Sequence, residues 1–242
     1  MFWYQATNVV NNICQKKSAL IQSLFHTCWR KHRYIAQAAC AWLPEASASF
    51  FKFIYYFYFQ MSRKYKFHDQ SKLYFISFTV VHWIDVFIRD EYKDELIRSW
   101  KYCMETKGLE IYGWCIMTSH AHMIIGTNAT PLQDIVRDMK SFTSRKLKES
   151  IFSNPQESRK EWMTWMMERE GKKNSNNMDW QFWQQDNMPL VLESPDAFKK
   201  ALNYIHSNPV LAGFVLKDED WKYSSAGDFC GRKGMVELSY VD

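Results

Sequence analysis

Leu109-Glu-Ile-Tyr-Gly-Trp-Cys-Ile-Met117, Thr118-Ser119, His120-Ala-His-Met-Ile-Ile125 is the most informative segment of the chain. Two apolar runs rich in β-branched and aromatic residues are separated by two small polar residues, the pattern of two neighbouring buried strands. Along a strand, side chains alternate between faces. His120 and His122 therefore share one face and Ala121 points to the other. Two adjacent imidazoles on one face form a ready bidentate metal site, although a lone pair of this kind is also found on ordinary solvated strands.

Working outward, Tyr74-Phe-Ile-Ser-Phe-Thr-Val-Val81 reads as a further buried strand. Asp90 to Lys107 carries Leu96, Ile97, Trp100 and Met104 at helical spacing and is closed by Gly108. Pro131 opens a second helix that runs to about Lys148. Residues 150–180 are polar, with Gly171-Lys-Lys-Asn-Ser-Asn-Asn inside them, and read as a mobile insertion. Gln181–Gln185 and Leu190–Leu192 are short strand candidates. Ser194 or Asp196 caps a helix from Pro195 to about Ser207, ending before Pro209. This order predicts an α+β fold, an antiparallel sheet with helices packed on one face.

Composition separates the chain into two parts. The net charge is +5 over 242 residues, yet residues 61–242 are neutral and the whole excess lies in residues 1–60, where Glu45 is the single acid. Residues 1–60 have no glycine and no clean helical or strand period. The apolar run from Phe50 to Phe59 is too short for a membrane helix of about 20 residues. We read residues 1–60 as an atypical N-terminal extension, either translated upstream sequence that contributes little to the fold or an extra helical arm that packs on the body or binds nucleic acid, and residues 61–242 as the functional domain. Cys14, Cys28, Cys40, Cys103, Cys115 and Cys230 form no CxxC pair, which fits a cytoplasmic protein with reduced thiols.

A second cluster is Tyr204-Ile-His-Ser-Asn208-Pro209. Tyr204 and Asn208 are four residues apart, so both side chains lie on one helix face. Tyr204 as a packed core aromatic is the plain alternative. Arg137, Lys140, Arg145, Lys146 and Lys148 on the second helix outnumber Asp134 and Asp138 and suit phosphate contacts, or an ordinary solvated face. Trp180, Phe182 and Trp183 are either platforms for unpaired bases or core residues.

Four blocks, WCIMTSHAHMIIG (114–126), RDMKSFTSRKL (137–147), WQFWQQDNMP (180–189) and YIHSNPVLAGFV (204–215), together resemble the REP-associated tyrosine transposases, within the insertion-sequence tyrosine transposases of the HUH nuclease superfamily. The resemblance covers roughly Met61 to Phe229. It implies a ferredoxin-like sheet core, a divalent metal on His120 and His122, Tyr204 as nucleophile and Asn208 as an amide-type third ligand. Two imidazoles and an amide leave positions for water and phosphate, a set suited to Mg²⁺ or Mn²⁺ and open to zinc. The implied activity is cleavage and rejoining of single-stranded DNA through a 5′-phosphotyrosine, at hairpin-containing repeats. The alternatives are a catalytically inactive DNA-binding relative and an unrelated metallohydrolase using a water nucleophile. The implied partners are single-stranded or hairpin DNA, with no membrane and with a homodimer permitted; the implied location is the nucleoid. The chain departs from the resemblance at Thr118-Ser119, where relatives often have Pro-Asn, and at Met188, where many have histidine.

Overall fold

The computed structural model describes residues 67–174, 179–185, 187 and 189–240. The reading of residues 1–60 and the Met188 position lie outside the described residues.

Four strands form one antiparallel sheet: β1 (Tyr74–Thr79), β2 (Leu109–Ile116), β3 (His120–Thr127) and β4 (Leu190–Val191), in the spatial order β2-β3-β1-β4. The helices are α1 (Asp90–Lys107), α2 (Leu132–Ser153), α3 (Lys160–Gly171), α4 (Pro195–Leu211) and the short α5 (Ala226–Phe229). The expected α+β architecture is present.

Alternation along the strands divides the sheet into two faces. Tyr74, Ile76, Phe78, Trp114, Ile116, Ala121, Met123 and Ile125 point into the main core, where α1 brings Leu96, Ile97 and Trp100 and α2 brings Ile135, Val136 and Met139. Trp100 and Trp114 meet edge to face at 5.6 Å. The expected helix-covered face is thus built by α1 and α2. The opposite face carries Phe75, Ser77, His120, His122 and Ile124, and α4 covers part of it. Burial of Ala201 and Ile205 in α4 accounts for that docking.

Gly108 ends α1 in the left-handed conformation (φ 70°), as the sequence predicts. Gly113 does a different job. A Cβ there would lie 2.5 Å from Leu202 Cδ1, so the missing side chain lets α4 approach β2 closely. Gly113 also follows a register shift in the β2–β3 pairing. We expect Gly113→Val to displace α4, cost about 1–3 kcal/mol in denaturant unfolding by overpacking, and reduce any activity of the α4 side chains by more than that stability loss explains.

Three expectations are corrected, the third at Gln181–Gln185 below. Residues 150–180 are not simply a polar insertion: Lys160–Gly171 forms α3, because Met163 and Met167, one turn apart, are both fully buried. The helix carrying Tyr204 does not stop before Pro209 but continues to Leu211. Proline removes one backbone donor, but the end is closed beyond it. Phe214 N donates to Pro209 O (2.9 Å) and Ala212 N to Asn208 O (2.9 Å), with Gly213 left-handed at φ 76°. Ser194 is the N-cap, accepting from Ala197 N at 3.2 Å.

The short strand expected at Gln181–Gln185 is reduced to a single bridge, Val80 to Trp183, extended by Gln184 N donating to Thr79 O and Ser77 N to Asn187 O. Phe182 and Trp183 are buried core. No described helix is long and apolar enough to cross a membrane.

Candidate active site

β3 places His120 and His122 on the same face, with ring centroids 4.8 Å apart. His122 lies between the neighbouring strands, in register with Ser77 of β1 and Cys115 of β2. Its Nδ1 is 2.7 Å from Ser77 Oγ. With Nδ1–H donating to that hydroxyl, Nε2 carries the lone pair and points away from the sheet.

α4 brings Tyr204 to that nitrogen. The Tyr204 hydroxyl is 3.5 Å from His122 Nε2, and the two rings lie 5.2 Å apart. Phe75, fully buried, touches both rings and fixes their spacing from below. The half-buried Tyr204 is therefore not a core aromatic turned away from the histidines. Asn208, one turn further, donates from Nδ2 to Tyr204 O at 2.9 Å and makes no hydrogen bond to either imidazole among the described residues.

Burial keeps both imidazoles neutral. It pushes His120 down to about 4 and His122 well below the ordinary histidine value, with the neighbouring His120 adding to the second effect. Neutral imidazole is the form that ligates a metal. The chemistry of the donor set therefore fits a divalent cation with two protein nitrogens and further oxygens from substrate, water or an amide. No described cluster of three or more histidine, cysteine, aspartate or glutamate side chains offers a competing site.

His206, to which the sequence assigns no role, anchors α4. It points to another side of the helix, is buried, and its Nε2 lies 2.8 Å from Ser225 Oγ. Ser225 Oγ in turn accepts from Trp114 N (2.9 Å) and donates to Trp114 O (3.2 Å). The helix bearing Tyr204 is thus bonded to β2 through two buried polar side chains. The only sequence signal for this was a histidine at an otherwise apolar helix position.

His206 also makes a pH prediction. Burial lowers it from 6.5 to about 4, so the unfolded state binds its proton first. Its contribution is complete above about pH 6.5 and is lost as the pH falls toward 4. Across that window it accounts for up to about 3 kcal/mol, and His120 and His122 act in the same direction. Urea unfolding at pH 7 and pH 4.5 should show the loss, and His206→Gln should flatten it; an unchanged slope in that variant would refute the assignment.

The strand β1 leads into a tight turn beside the site. His82 (φ 56°, ψ 16°) and Trp83 (φ 56°) are consecutive non-glycine residues in the left-handed region, a conformation that costs of order 1–3 kcal/mol each. Trp83 stands 5.3 Å from the His120 ring, near perpendicular to it. The Thr118-Ser119 departure acts here: Ser119 O accepts from Val80 N (3.0 Å), Thr118 O from Phe87 N (2.8 Å), and Thr118 Oγ1 bonds Asp85 Oδ1 (2.7 Å).

The basic residues of α2 divide by environment. Lys140 is committed inside the molecule: its Nζ bonds Gln184 O (2.5 Å), Gln185 O (3.1 Å) and Asn187 Oδ1 (2.7 Å). It thereby holds the segment that pairs with β1 behind His122. Arg137 bonds Asp134 and Asp138, and Lys146 bonds Glu149, all as exposed pairs that a phosphate can displace. Arg145 is exposed. Lys148 lies over the Trp180 ring at 4.7 Å, which places that half-buried tryptophan under a cation rather than open to stacking.

A family model described as "Transposase IS200 like" matches residues 78–207, a span that holds His120, His122 and Tyr204. No curated protein sequence matches the chain. A solved structure described as "Structure of the REP associates tyrosine transposase bound to a REP hairpin" is similar in fold, with a TM-score of 0.52, 15% identity, and coverage of 75% of this chain and 92% of that one.

Proposed function

From the premise that the chain belongs to the IS200-like transposase family, we propose that it cleaves and rejoins single-stranded DNA through Tyr204. The observation that carries this reading is the approach of the Tyr204 hydroxyl to His122 Nε2 at 3.5 Å, across 82 residues of sequence.

In the proposed reaction Tyr204 Oη attacks a backbone phosphorus. The Oη–P bond forms and the P–O3′ bond breaks, leaving a 5′-phosphotyrosine; the phenol gives up its proton, and the leaving 3′-oxygen takes up one to become a free 3′-hydroxyl. One phosphodiester is exchanged for another ester of similar energy. Attack of a 3′-hydroxyl on the phosphotyrosine then rejoins DNA without a nucleotide cofactor, which favours strand transfer over hydrolysis. A phenol ordinarily titrates near 10 and is a weak nucleophile at neutral pH. Position supports the reading: Phe75 beneath the ring, and His206 and Ser225 behind the helix, would hold the hydroxyl toward an incoming phosphate. His120 and His122, with Asn208 as a third donor, would hold Mg²⁺ or Mn²⁺. The cation would polarise the phosphate and stabilise the charge that develops on its oxygens.

We read single-stranded or hairpin DNA as the substrate; the structural relative, by its description, is bound to a REP hairpin. Arg137, Arg145 and Lys146 are the proposed phosphate contacts, and Lys140 acts by positioning Gln184, Gln185 and Asn187. The test is denaturing electrophoresis of labelled single-stranded hairpin DNA with the protein and Mg²⁺ or Mn²⁺. A covalent protein–DNA band that requires Tyr204 supports the reading. DNA binding without such a band, under conditions where the cation binds, supports a non-cleaving relative instead.

A further inference from the structure

We propose that Trp83 is a base-stacking residue of the site, the wall against which the unpaired base flanking the cleaved phosphodiester is held. The inference rests on the single-strand cleavage reading above and adds a residue that reads the substrate's base rather than its phosphate.

Three observations lead to it. The first is position. Trp83 stands beside His120, 5.3 Å ring to ring, and His120 is one ring away from His122 and hence from the Tyr204 hydroxyl. A phosphate brought to that hydroxyl brings its flanking bases to this rim. The second is exposure. In the 81–87 turn, Val81, Ile84, Val86 and Phe87 are buried, whereas Trp83 stays partly open. The loop's apolar anchoring is complete without it. The third is strain. Both His82 and Trp83 have positive φ, a conformation unusual for any non-glycine residue and a genuine outlier for tryptophan.

Such a turn persists only when its surroundings overdetermine it, and here they do. Val81 N donates to Phe182 O (2.8 Å) and Trp83 N to Val80 O (3.0 Å), while His82 Nε2 pairs with Glu170 Oε2 of α3 at 3.0 Å. These bonds, with those to Thr118 and Ser119, clamp the turn on both sides. The outcome of the clamp is a large flat ring aimed at the histidine rim and left partly open. Every nucleobase has a π face, so a fixed indole there accepts an unpaired base whatever its identity. Duplex DNA, whose bases are already stacked, gains nothing from it.

The experiment uses the full chain with Tyr204→Phe, so that binding is read without cleavage. The probe is a synthetic DNA hairpin with a single-stranded tail, labelled for anisotropy, in which one abasic nucleotide is moved along the tail. Trp83→Leu, which keeps apolar bulk beside His120, should weaken binding roughly 5- to 100-fold, and Trp83→Phe should restore most of it. One abasic position should weaken the parent protein by a similar factor and weaken Trp83→Leu little further, since the stacking partner is already gone. A tryptophan that serves only to orient His120 would give losses that add at every position; that result, or unchanged affinity in Trp83→Leu, overturns the proposal. A 5-iododeoxyuridine at the coupled position should photocrosslink to the peptide bearing Trp83 in the parent protein, which decides the matter even where a variant folds poorly; a crosslink confined to other peptides overturns it. A Tyr204-dependent adduct in the wild-type chain without this coupling overturns the stacking role alone. Coupling without an adduct overturns the cleavage reading alone.

Discussion

Tyr204→Phe is expected to fold, to bind single-stranded hairpin DNA, and to form no covalent adduct with it. The substitution removes one oxygen. The ring keeps its contacts with Phe75 at 5.9 Å and His122 at 5.2 Å. The hydroxyl's 3.5 Å approach to His122 Nε2 is at the long limit of a hydrogen bond, so its loss costs at most roughly 0.5–1.5 kcal/mol. Melting and anisotropy should therefore be close to wild type. The chemical effect is of another order, because the oxygen removed is the proposed nucleophile. Denaturing electrophoresis should show the adduct band fall below detection. A melting temperature lowered by far more than that hydroxyl accounts for would show that Tyr204 is a packing residue first.

The second large effect is expected at the paired histidines. His120→Ala and His122→Ala should each lose most of the adduct, and the double variant should be little worse, because groups that act as a unit are not additive. The two differ in structural cost. His122 is buried and its removal leaves Ser77 Oγ without its 2.7 Å partner, a penalty of about 1–3 kcal/mol. His120 is more open, and beside its ring contacts with Trp83 and His122 its hydrogen-bond contact is the long one, 3.3 Å to Ser119 Oγ, so His120→Ala is the cleaner probe. Addition of Mn²⁺ should raise the melting temperature of the wild type through binding linkage and leave that of the double variant unmoved. Adduct formation that survives in His120→Ala at unchanged cation dependence would remove the pair from the mechanism.

Much of this site could be read in the sequence. Strand alternation alone placed His120 and His122 on one face, and helical spacing alone aligned Tyr204 with Asn208. Gly108 marked the end of α1 because a left-handed position has few other occupants. What the sequence hid has identifiable physical causes. Pro209 signals a helix end locally, but bonds beyond it carry α4 on to Leu211. α3 was hidden because its apolar residues do not fall on one stripe: Met163 and Met167 are buried, whereas Trp162 and Trp165 stay exposed.

The long-range polar partners were hidden for a different reason. His206 finds Ser225 and Lys140 finds Asn187, pairings that no periodicity encodes. For Lys140 the sequence offered only a basic helix face, and that pattern cannot separate a cation facing solvent from one bonded to backbone carbonyls. Trp83 was invisible for the same kind of reason: positive φ at a tryptophan contradicts local preference and is imposed by the clamped turn around it.

Peptide mapping of the adduct distinguishes Tyr204 Oη from every other candidate for the covalent bond to DNA. The wild-type protein is incubated with single-stranded hairpin DNA and Mn²⁺, digested with protease and nuclease, and analysed by tandem mass spectrometry. The expected result is a nucleotide 5′-phosphate on the peptide containing Tyr204, fragmenting to place the added mass on that phenol. The nucleotide on a different residue, Tyr223 for example, or DNA cleaved to free ends with no modified peptide, would contradict it.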